Sequence, residues 1–317
     1  MDSARAIRVT VVCGGPSAEA EVSRVSGRGV AEALSAAEFD VEVVELNFDV
    51  GDALREASPD VVFPVLHGPP GEDGTFQGFL ETLGIAYVGS GVHASACAMD
   101  KALAKALFRD AGLVVARDIV LRRNVGARAA ARDVIAALGQ NVVVKPTRQG
   151  SAVGVRFPST SNELEAAIDE AFGFDERVLV EERIEGREIA VAILERDVAE
   201  ALPVIEVRTP AGSWYDFAHR YTSGLSEHVI PAPLSVAQYQ KTQETAKLAH
   251  LALGCRDLSR ADFVVPLESD PVLLEVNTLP GMTPTSLYPD AARAVGISFE
   301  ELVASLVKRA LARRGSA

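Results

Sequence analysis

Between Ile7 and Val88, short β-branched runs alternate with segments of helical period, and this alternation restricts the fold more than any other feature of the chain. Ile7–Cys13 ends in Gly14-Gly15. Beyond it, Val22, Val25, Val30 and Leu34 share one helical face, with Ser17 placed to cap that helix. Val41–Leu46 is a second run, and Val61–Leu66 is a third that ends at His67-Gly68. Phe76–Leu83 reads as a helix and Ala86–Val88 as a short strand. Strand, helix and strand in this order build a βαβ-type, mostly parallel sheet. Its functional loops leave the C-terminal ends of the strands.

The rest of the chain is patterned differently. A helix over Met99–Ala111 stops at Gly112, and strands follow around Val114–Leu121 and Val142–Pro146. A glycine-rich turn, Gln149–Gly154, leads into a further strand, a helix from Asn162 to Phe172 and the strand Val178–Glu181. From Ile189 the pattern is strand-rich, with a polar loop over Trp214–Pro233 and a helix near Val236–Leu253. Two closing strands, Ala261–Pro266 and Val272–Val276, precede a terminal helix over Phe299–Ala312. A chain of 317 residues that is 48% hydrophobic supports two or three ordinary cores. No apolar run approaches the ~20 residues of a membrane span. The N-terminal stretch lacks a small-residue cleavage site, so a cytoplasmic location is expected. Cys13, Cys97 and Cys255 are too scattered for a metal site or a disulfide set and read as small buried hydrophobes. A net charge of −13 excludes nucleic-acid binding through a broad basic surface. A polyanion would have to be held by a few placed cations, helix N-termini and metal ions. Only 6 of the 31 basic residues are lysines, and Lys101 and Lys145 fall in the segments that carry chemistry.

The closing hairpin carries the strongest such signal. Glu268-Ser269-Asp270-Pro271 is a turn cluster between two apolar runs. One register sets Asp262 opposite Glu275 and the next sets it opposite Asn277. Glu275 and Asn277 are two apart and share a face, with Arg260 on the same side. Hard oxygen donors converging in this way suit Mg²⁺. The bland reading is a solvated outer face. Lys145-Pro-Thr-Arg-Gln-Gly-Ser151-Ala-Val-Gly154 places a strand-borne lysine before a glycine turn whose N–H groups can close over phosphates. It lacks the Gly-Lys-Ser/Thr ending of a P-loop and reads equally as a plain hairpin turn. Glu19 lies in the first turn of a helix, where a carboxylate is favoured, and is also a fixed anion able to receive an ammonium. His67 sits in a loop at a strand's C-terminal end, where a structural and a functional role are both open.

Six segments, in order, resemble the D-alanine–D-alanine ligase family: GGPSAEAEVS (14–23), LHGPPGEDGTFQG (66–78), GSGVHASACAMDK (89–101), KPTRQGSAVG (145–154), WYDFAHRYTS (214–223) and RADFVV with LLEVNTLPGMTPTSL (260–287). The resemblance runs from Cys13 to about Leu306. It implies an α/β chain with an N-terminal Rossmann-like parallel-sheet domain (1–96) and a two-part ATP-grasp fold of α+β type (97–183 and 184–317). The implied reaction joins two D-alanines at the expense of ATP, by way of an acyl phosphate. Lys101, Lys145 and Arg220 would face ATP phosphates, Glu181 the adenine edge and Glu188 the ribose. Asp262, Glu275 and Asn277 would hold two Mg²⁺ ions, with Mn²⁺ as a substitute. Glu19 and His67 would hold the first D-alanine. Arg260 and the Gly281 N–H would face the oxyanion, and Ser286-Leu287 the second substrate's carboxylate. Glu19, Ser151 and Tyr221 match a hydrogen-bonded set that closes loops over the reaction. A homodimer is also implied, with no nucleic-acid or membrane partner.

The sequence departs from the family pattern at three places. Arg220 stands for a usual lysine, Arg183 for a commonly aromatic hinge residue, and Pro69-Pro70 for a looser pair. The competing readings are a ligase of the same fold using D-serine or D-lactate second, an ATP-grasp ligase for another carboxylate, and a non-catalytic two-lobed amino-acid-binding protein. Tyr221 disfavours the D-lactate type, and the Asp262/Glu275/Asn277 face disfavours the binding protein.

Overall fold

A computed structural model describes residues 5–124, 126–210, 214–216, 219–220, 222, 224–284 and 286–314. The opening alternation forms a four-stranded parallel sheet. Strands β1 (Arg8–Cys13), β2 (Asp40–Glu45), β3 (Val61–Pro64) and β4 (Ala86–Tyr87) lie in the order β2-β1-β3-β4. Helices α1 (Ala20–Ala36), α2 (Val50–Ala57) and α3 (Thr75–Thr82) make the crossovers. Both faces of β3 are buried, which is why this strand reads as a continuous apolar run rather than an alternating one. Ser17 does not cap α1. Its Oγ accepts from the Glu19 N–H at 3.2 Å, closing a local turn, and the helix begins at Ala20.

The helix predicted over 99–111 is present as residues 101–110, and a second helix, over 92–99 and not expected from the sequence, precedes it. α4 (Val92–Met99) and α5 (Lys101–Asp110) are separated by Asp100, whose side chain accepts from Leu103 N–H and so caps α5. Next come β5 (Asp118–Arg122), α6 (Ala127–Leu138), β6 (Val142–Pro146), α7 (Ser161–Ala171) and β7 (Arg177–Glu182). Their strands form an antiparallel sheet in the order β5-β7-β6, which shares an apolar core with α6 and α7. The strand expected after Gly154 reduces to one bridge between Val144 and Arg156.

The strand-rich remainder is an antiparallel sheet of β8 (Arg187–Glu195), β9 (Ala199–Ala201), β10 (Ile205–Arg208), β11 (Glu227–Val229), β12 (Leu258–Val265) and β13 (Val272–Asn277). Its order is β11-β10-β8-β12-β13, with β9 beside β8. Helix α8 (Val236–Ala252) packs against one core of this sheet. The other core is shared with α9 (Leu287–Ala294) and α10 (Phe299–Arg314), and it extends to the first sheet. There Val11, Leu34 and Phe63 join Ala192, Leu258, Tyr288 and Leu306, so the last helix returns to the first strands. Each fully buried Leu or Phe of this kind contributes roughly 1.5–3 kcal/mol. A parallel sheet followed by two antiparallel ones is the order expected of a Rossmann-like part and a two-part ATP-grasp. Cys13, Cys97 and Cys255 are buried and unpaired with one another. Among the described residues no helix is long and apolar enough to cross a membrane.

Candidate active site

The hairpin of β12 and β13 adopts the first of the two registers. Asp262 stands opposite Glu275 and Arg260 opposite Asn277, and a bulge follows between Asp262 and Phe263. Arg260 is nearly buried and donates to both oxygens of Asp262, Nε to Oδ1 and Nη2 to Oδ2, each at 2.7 Å. Burial disfavours its charge, but the facing Asp262 carboxylate keeps the guanidinium fully protonated. Lys101, the first residue of α5, lies 3.3 Å from Glu275 Oε2 and donates to the Gln149 carbonyl at 2.7 Å. A cation is electrostatically misplaced at a helix N-terminus. The acidic strand opposite is what holds it there. Burial pushes the Glu275 carboxyl up, but Lys101, with Arg220, Lys145 and Arg260, holds it down at about 2.

Two compartments meet at this point. The larger, of about 650 Å³, is lined by Lys101, Lys145, Glu181, Glu188, Arg220 and Glu275, and by the turn 149–153. The smaller is lined by Glu19, His67, Glu72, Arg260, Asn277, Gly281, Ser286 and Leu287. Lys101, Ser151, Tyr215, Arg220 and Glu275 border both. The glycine turn forms part of the partition. Ser151 and Ala152 both hold left-handed backbone (φ 46° and 61°), and Ser151 Oγ donates to Glu19 Oε1 at the start of α1. Two such residues in sequence are strained unless the surroundings hold them.

In the smaller compartment, burial lowers the His67 pKa against the pull of Glu19, so the imidazole is neutral near pH 7. Its Nε2 is buried without a hydrogen-bond partner. Ser286 occupies the N-cap position of α9, where N–H groups favour an anion. Its Oγ accepts from Thr283 N–H at 3.1 Å, and a Cβ at Gly281 would come within 2.9 Å of that Oγ. A side chain at 281 would force the Ser286 hydroxyl out of this position.

In the larger compartment, Glu181 is almost wholly buried between two lysines. Lys145 pairs with Oε1, and Lys105 donates to Oε2 at 2.6 Å. Burial raises the Glu188 pKa in the same cleft. Arg220 lies 4.7 Å over the Tyr215 ring. Arg183 lies 4.9 Å over Phe157, and Phe157 in turn packs edge-on to Trp214 at 5.0 Å. Phe157 and Trp214 thus place aromatic side chains beside Arg183 on the wall of this compartment.

The structure thus brings Glu19, His67, Lys101, Lys145, Ser151, Glu181, Glu188, Arg220, Arg260, Glu275, Asn277, Gly281, Ser286 and Leu287 to one pair of joined clefts, with Asp262 directly behind. Tyr221 lies outside the described residues. Two residues escaped sequence reading. Glu72 is buried in the smaller compartment and accepts from Gly68 N–H at 2.6 Å. Lys105 is buried behind Glu181. Lys105 could have been flagged as a rare lysine one turn beyond Lys101.

Asp262, Glu275 and Asn277 fit a hard divalent cation. They offer two carboxylates and one carboxamide, and the oxygens retain lone pairs beyond those used by Arg260, Lys101 and Leu279 N–H. Among the described residues no group of three or more His, Cys, Asp or Glu forms a denser metal site. The set is sparse, as Mg²⁺ shared with a phosphate requires.

Comparison with known proteins decides the family. A family model described as D-ala D-ala ligase C-terminus matches residues 107–308, and one described as D-ala D-ala ligase N-terminus matches residues 47–90. The chain belongs to the D-alanine–D-alanine ligase family. It is 46% identical over 307 residues to a D-alanine–D-alanine ligase of Halalkalibacterium halodurans, covering 96% of this chain and 99% of that one. It is 43% identical over 295 residues to one of Anaeromyxobacter dehalogenans, covering 93% and 94%. Its fold matches the Bacillus anthracis D-alanine–D-alanine ligase complexed with ATP, with a TM-score of 0.84, 30% identity and coverage of 98% and 99%. A D-Ala:D-Ser ligase from Enterococcus faecalis matches with a TM-score of 0.82, 32% identity and coverage of 96% and 100%. Members of this fold therefore differ in their second substrate.

Proposed function

We propose that the protein joins two D-alanines into D-alanyl-D-alanine, with ATP converted to ADP and phosphate, as a step in peptidoglycan precursor synthesis. The observation that carries this is the pair of compartments meeting at Lys101, Arg220 and Glu275, one lined for phosphates and the other for amino acids. The segments 1–96, 97–183 and 184–317 are taken as a substrate lobe and the two nucleotide-holding lobes.

The first D-alanine binds with its ammonium toward Glu19 and His67 beside it. Its carboxylate oxygen attacks the γ-phosphorus of ATP, and ADP leaves with the broken P–O electron pair. Lys101, Lys145 and Arg220 supply fixed positive charge for this transfer, which depends on positioning and charge rather than on covalent participation. Glu181 and Glu188 are assigned to the base and ribose ends of ATP. Mg²⁺ held by Asp262, Glu275 and Asn277, as two ions, would neutralise charge on the phosphates. The second D-alanine lies with its carboxylate at Ser286-Leu287, on the N-terminus of α9. Its amine nitrogen, once deprotonated, attacks the acyl carbon, and phosphate leaves with the C–O electron pair. Arg260 and the Gly281 N–H face the oxyanion formed between these events. Ser151 and Glu19, with Tyr221, keep the loops closed against water, which would otherwise hydrolyse the acyl phosphate.

The reading includes a cytoplasmic homodimer, which light scattering tests separately. Incubation with ATP, Mg²⁺ and D-alanine is the direct test, with L-alanine, D-serine and D-lactate in parallel. ADP and D-alanyl-D-alanine should form in equal amounts. ADP with a different product would reassign the second substrate, and no ADP would overturn the ligase reading.

A further inference from the structure

Lys105 is about 1% exposed, yet it carries an ammonium group that the proposed chemistry does not use. It lies on α5 four residues after Lys101, so both side chains leave the same face of the helix. Lys101 reaches the cleft; Lys105 stops behind it. Its Nζ is 2.6 Å from Glu181 Oε2 and 3.3 Å from Asp118 Oδ1. The other Glu181 oxygen pairs with Lys145, and Asp118 also pairs with Arg109. Asp118 and Glu181 are register partners across β5 and β7, so the charges form a ladder along the sheet: Arg109, Asp118, Lys105, Glu181, Lys145. Three cations alternate with two anions. The ladder carries one surplus positive charge, with Arg109 at its exposed end and Lys145 at the end that opens to the nucleotide compartment.

We propose that Lys105 is a positioning residue for nucleotide binding: by engaging Glu181 from behind, it leaves the charge of Lys145 available to a phosphate. This deepens the assignment of the larger compartment to ATP and rests on it. Without the Lys105 charge, the ladder has two cations and two anions. Glu181 then holds Lys145 as its only close cation, and the attraction offered to a phosphate weakens. Burying an ammonium is costly, and a hydrophobe of similar volume is often tolerated in its place. A purely packing role would therefore be served as well by methionine.

The same geometry makes the effect pH-dependent. Burial pushes the Lys105 ammonium down to about 8, against the pull of Glu181, and Lys145 and Arg109 push it further down. These groups and Asp118 are the charges that face it from β7, β6, β5 and its own helix. Proton loss above this value removes the charge that frees Lys145.

Mg·ADP is titrated calorimetrically into the full chain at pH 7, 8 and 9, with fluorescence as a second readout, because Trp214 is the one tryptophan and lines the compartment. The wild-type Kd should weaken roughly tenfold between pH 7 and 9, the scale of one nearby charge at the effective dielectric of a cleft. Lys105→Met should bind weakly at every pH, without the break. Lys105→Arg should bind tightly and without the break, because guanidinium does not deprotonate in this range. The KM for D-alanine should stay within about twofold in all three, since the groups Lys105 pairs with, Glu181 and Asp118, lie away from the amino-acid compartment. A K105M protein with the wild-type Kd at pH 7 overturns the proposal, as does a pH-independent wild type. If K105R does not fold, K105M and the wild-type pH series decide alone. Wild-type protein that binds no nucleotide would instead overturn the assignment of the compartment.

Discussion

Glu275→Gln separates the chemistry of the site from its folding. Gln keeps the shape of the side chain and removes one negative charge from a place where burial is outweighed by Lys101, Arg220, Lys145 and Arg260. With its pKa held at about 2, the native carboxylate is ionised at any working pH, so the substitution changes charge in the whole population. The folding cost is bounded by the same charges. A carboxyl held from 4.5 down to about 2 represents at most about 3 kcal/mol, of which the 3.3 Å Lys101 contact, at 31% exposure of Glu275, accounts for about 0–1 kcal/mol. The catalytic cost is separate. Removing one preorganised charged or hydrogen-bonding group from a water-excluded site lowers kcat by about 10²–10³, or roughly 2.7–4 kcal/mol. Here the carboxylate is also the one member of the proposed Mg²⁺ set that lines both compartments. The assay couples ADP release to a spectroscopic readout, with dipeptide measured by chromatography and folding by thermal melting. The expected result is a kcat at least about 100-fold lower, with stability lowered by no more than about 3 kcal/mol and the protein still folded at the assay temperature. An E275Q enzyme within threefold of the parent would remove Glu275 from the phosphate site and refute the metal assignment.

Further outcomes follow from buried charges elsewhere. Asp257 is fully buried and accepts from Gly89 N–H at 2.8 Å, while Arg309 and Arg313 pair with its other oxygen. Asp257→Asn should cost about 3 kcal/mol, the scale of breaking a buried pair, read as a lower urea midpoint; a change below 0.5 kcal/mol would show the two arginines to be solvated instead. Burial, with Glu19 nearby, raises the Glu72 pKa from 4.5 to about 8. Between those values the folded chain binds the extra proton. The contribution of this group is therefore complete below pH 4.5 and is lost as pH rises to 8, at roughly 1.4 kcal/mol per pH unit. Glu72→Gln, which cannot ionise and keeps an acceptor for Gly68 N–H, should remove that slope. Parallel stability–pH curves for the two proteins would place the Glu72 carboxylate in water.

Local pattern determined a good deal here. Val142–Pro146 is a strand to the residue, because β-branched side chains favour extended backbone and the proline disfavours helix at the residue before it. The facing of Asp262 and Glu275 followed from strand periodicity, since a two-residue repeat leaves few registers. Periodicity could not choose between those registers. The bulge after Asp262 belongs to the pairing of two strands rather than to either one. The helix over 92–99 was also hidden, because small residues such as Ala94, Ser95 and Ala96 give it little apolar periodicity, and only the Asp100 bond to Leu103 N–H marks where α5 begins anew. Tertiary packing alone decided the rest. It set Ser151 against Glu19, 132 residues apart, and brought the last helix back to the first sheet. It also buried Lys105 and Glu72, whose pKa values depend on groups distant in the chain. A sequence specifies which residues carry charge and which face of an element they share. The field that each one feels is a sum over neighbours that only the folded chain brings within reach.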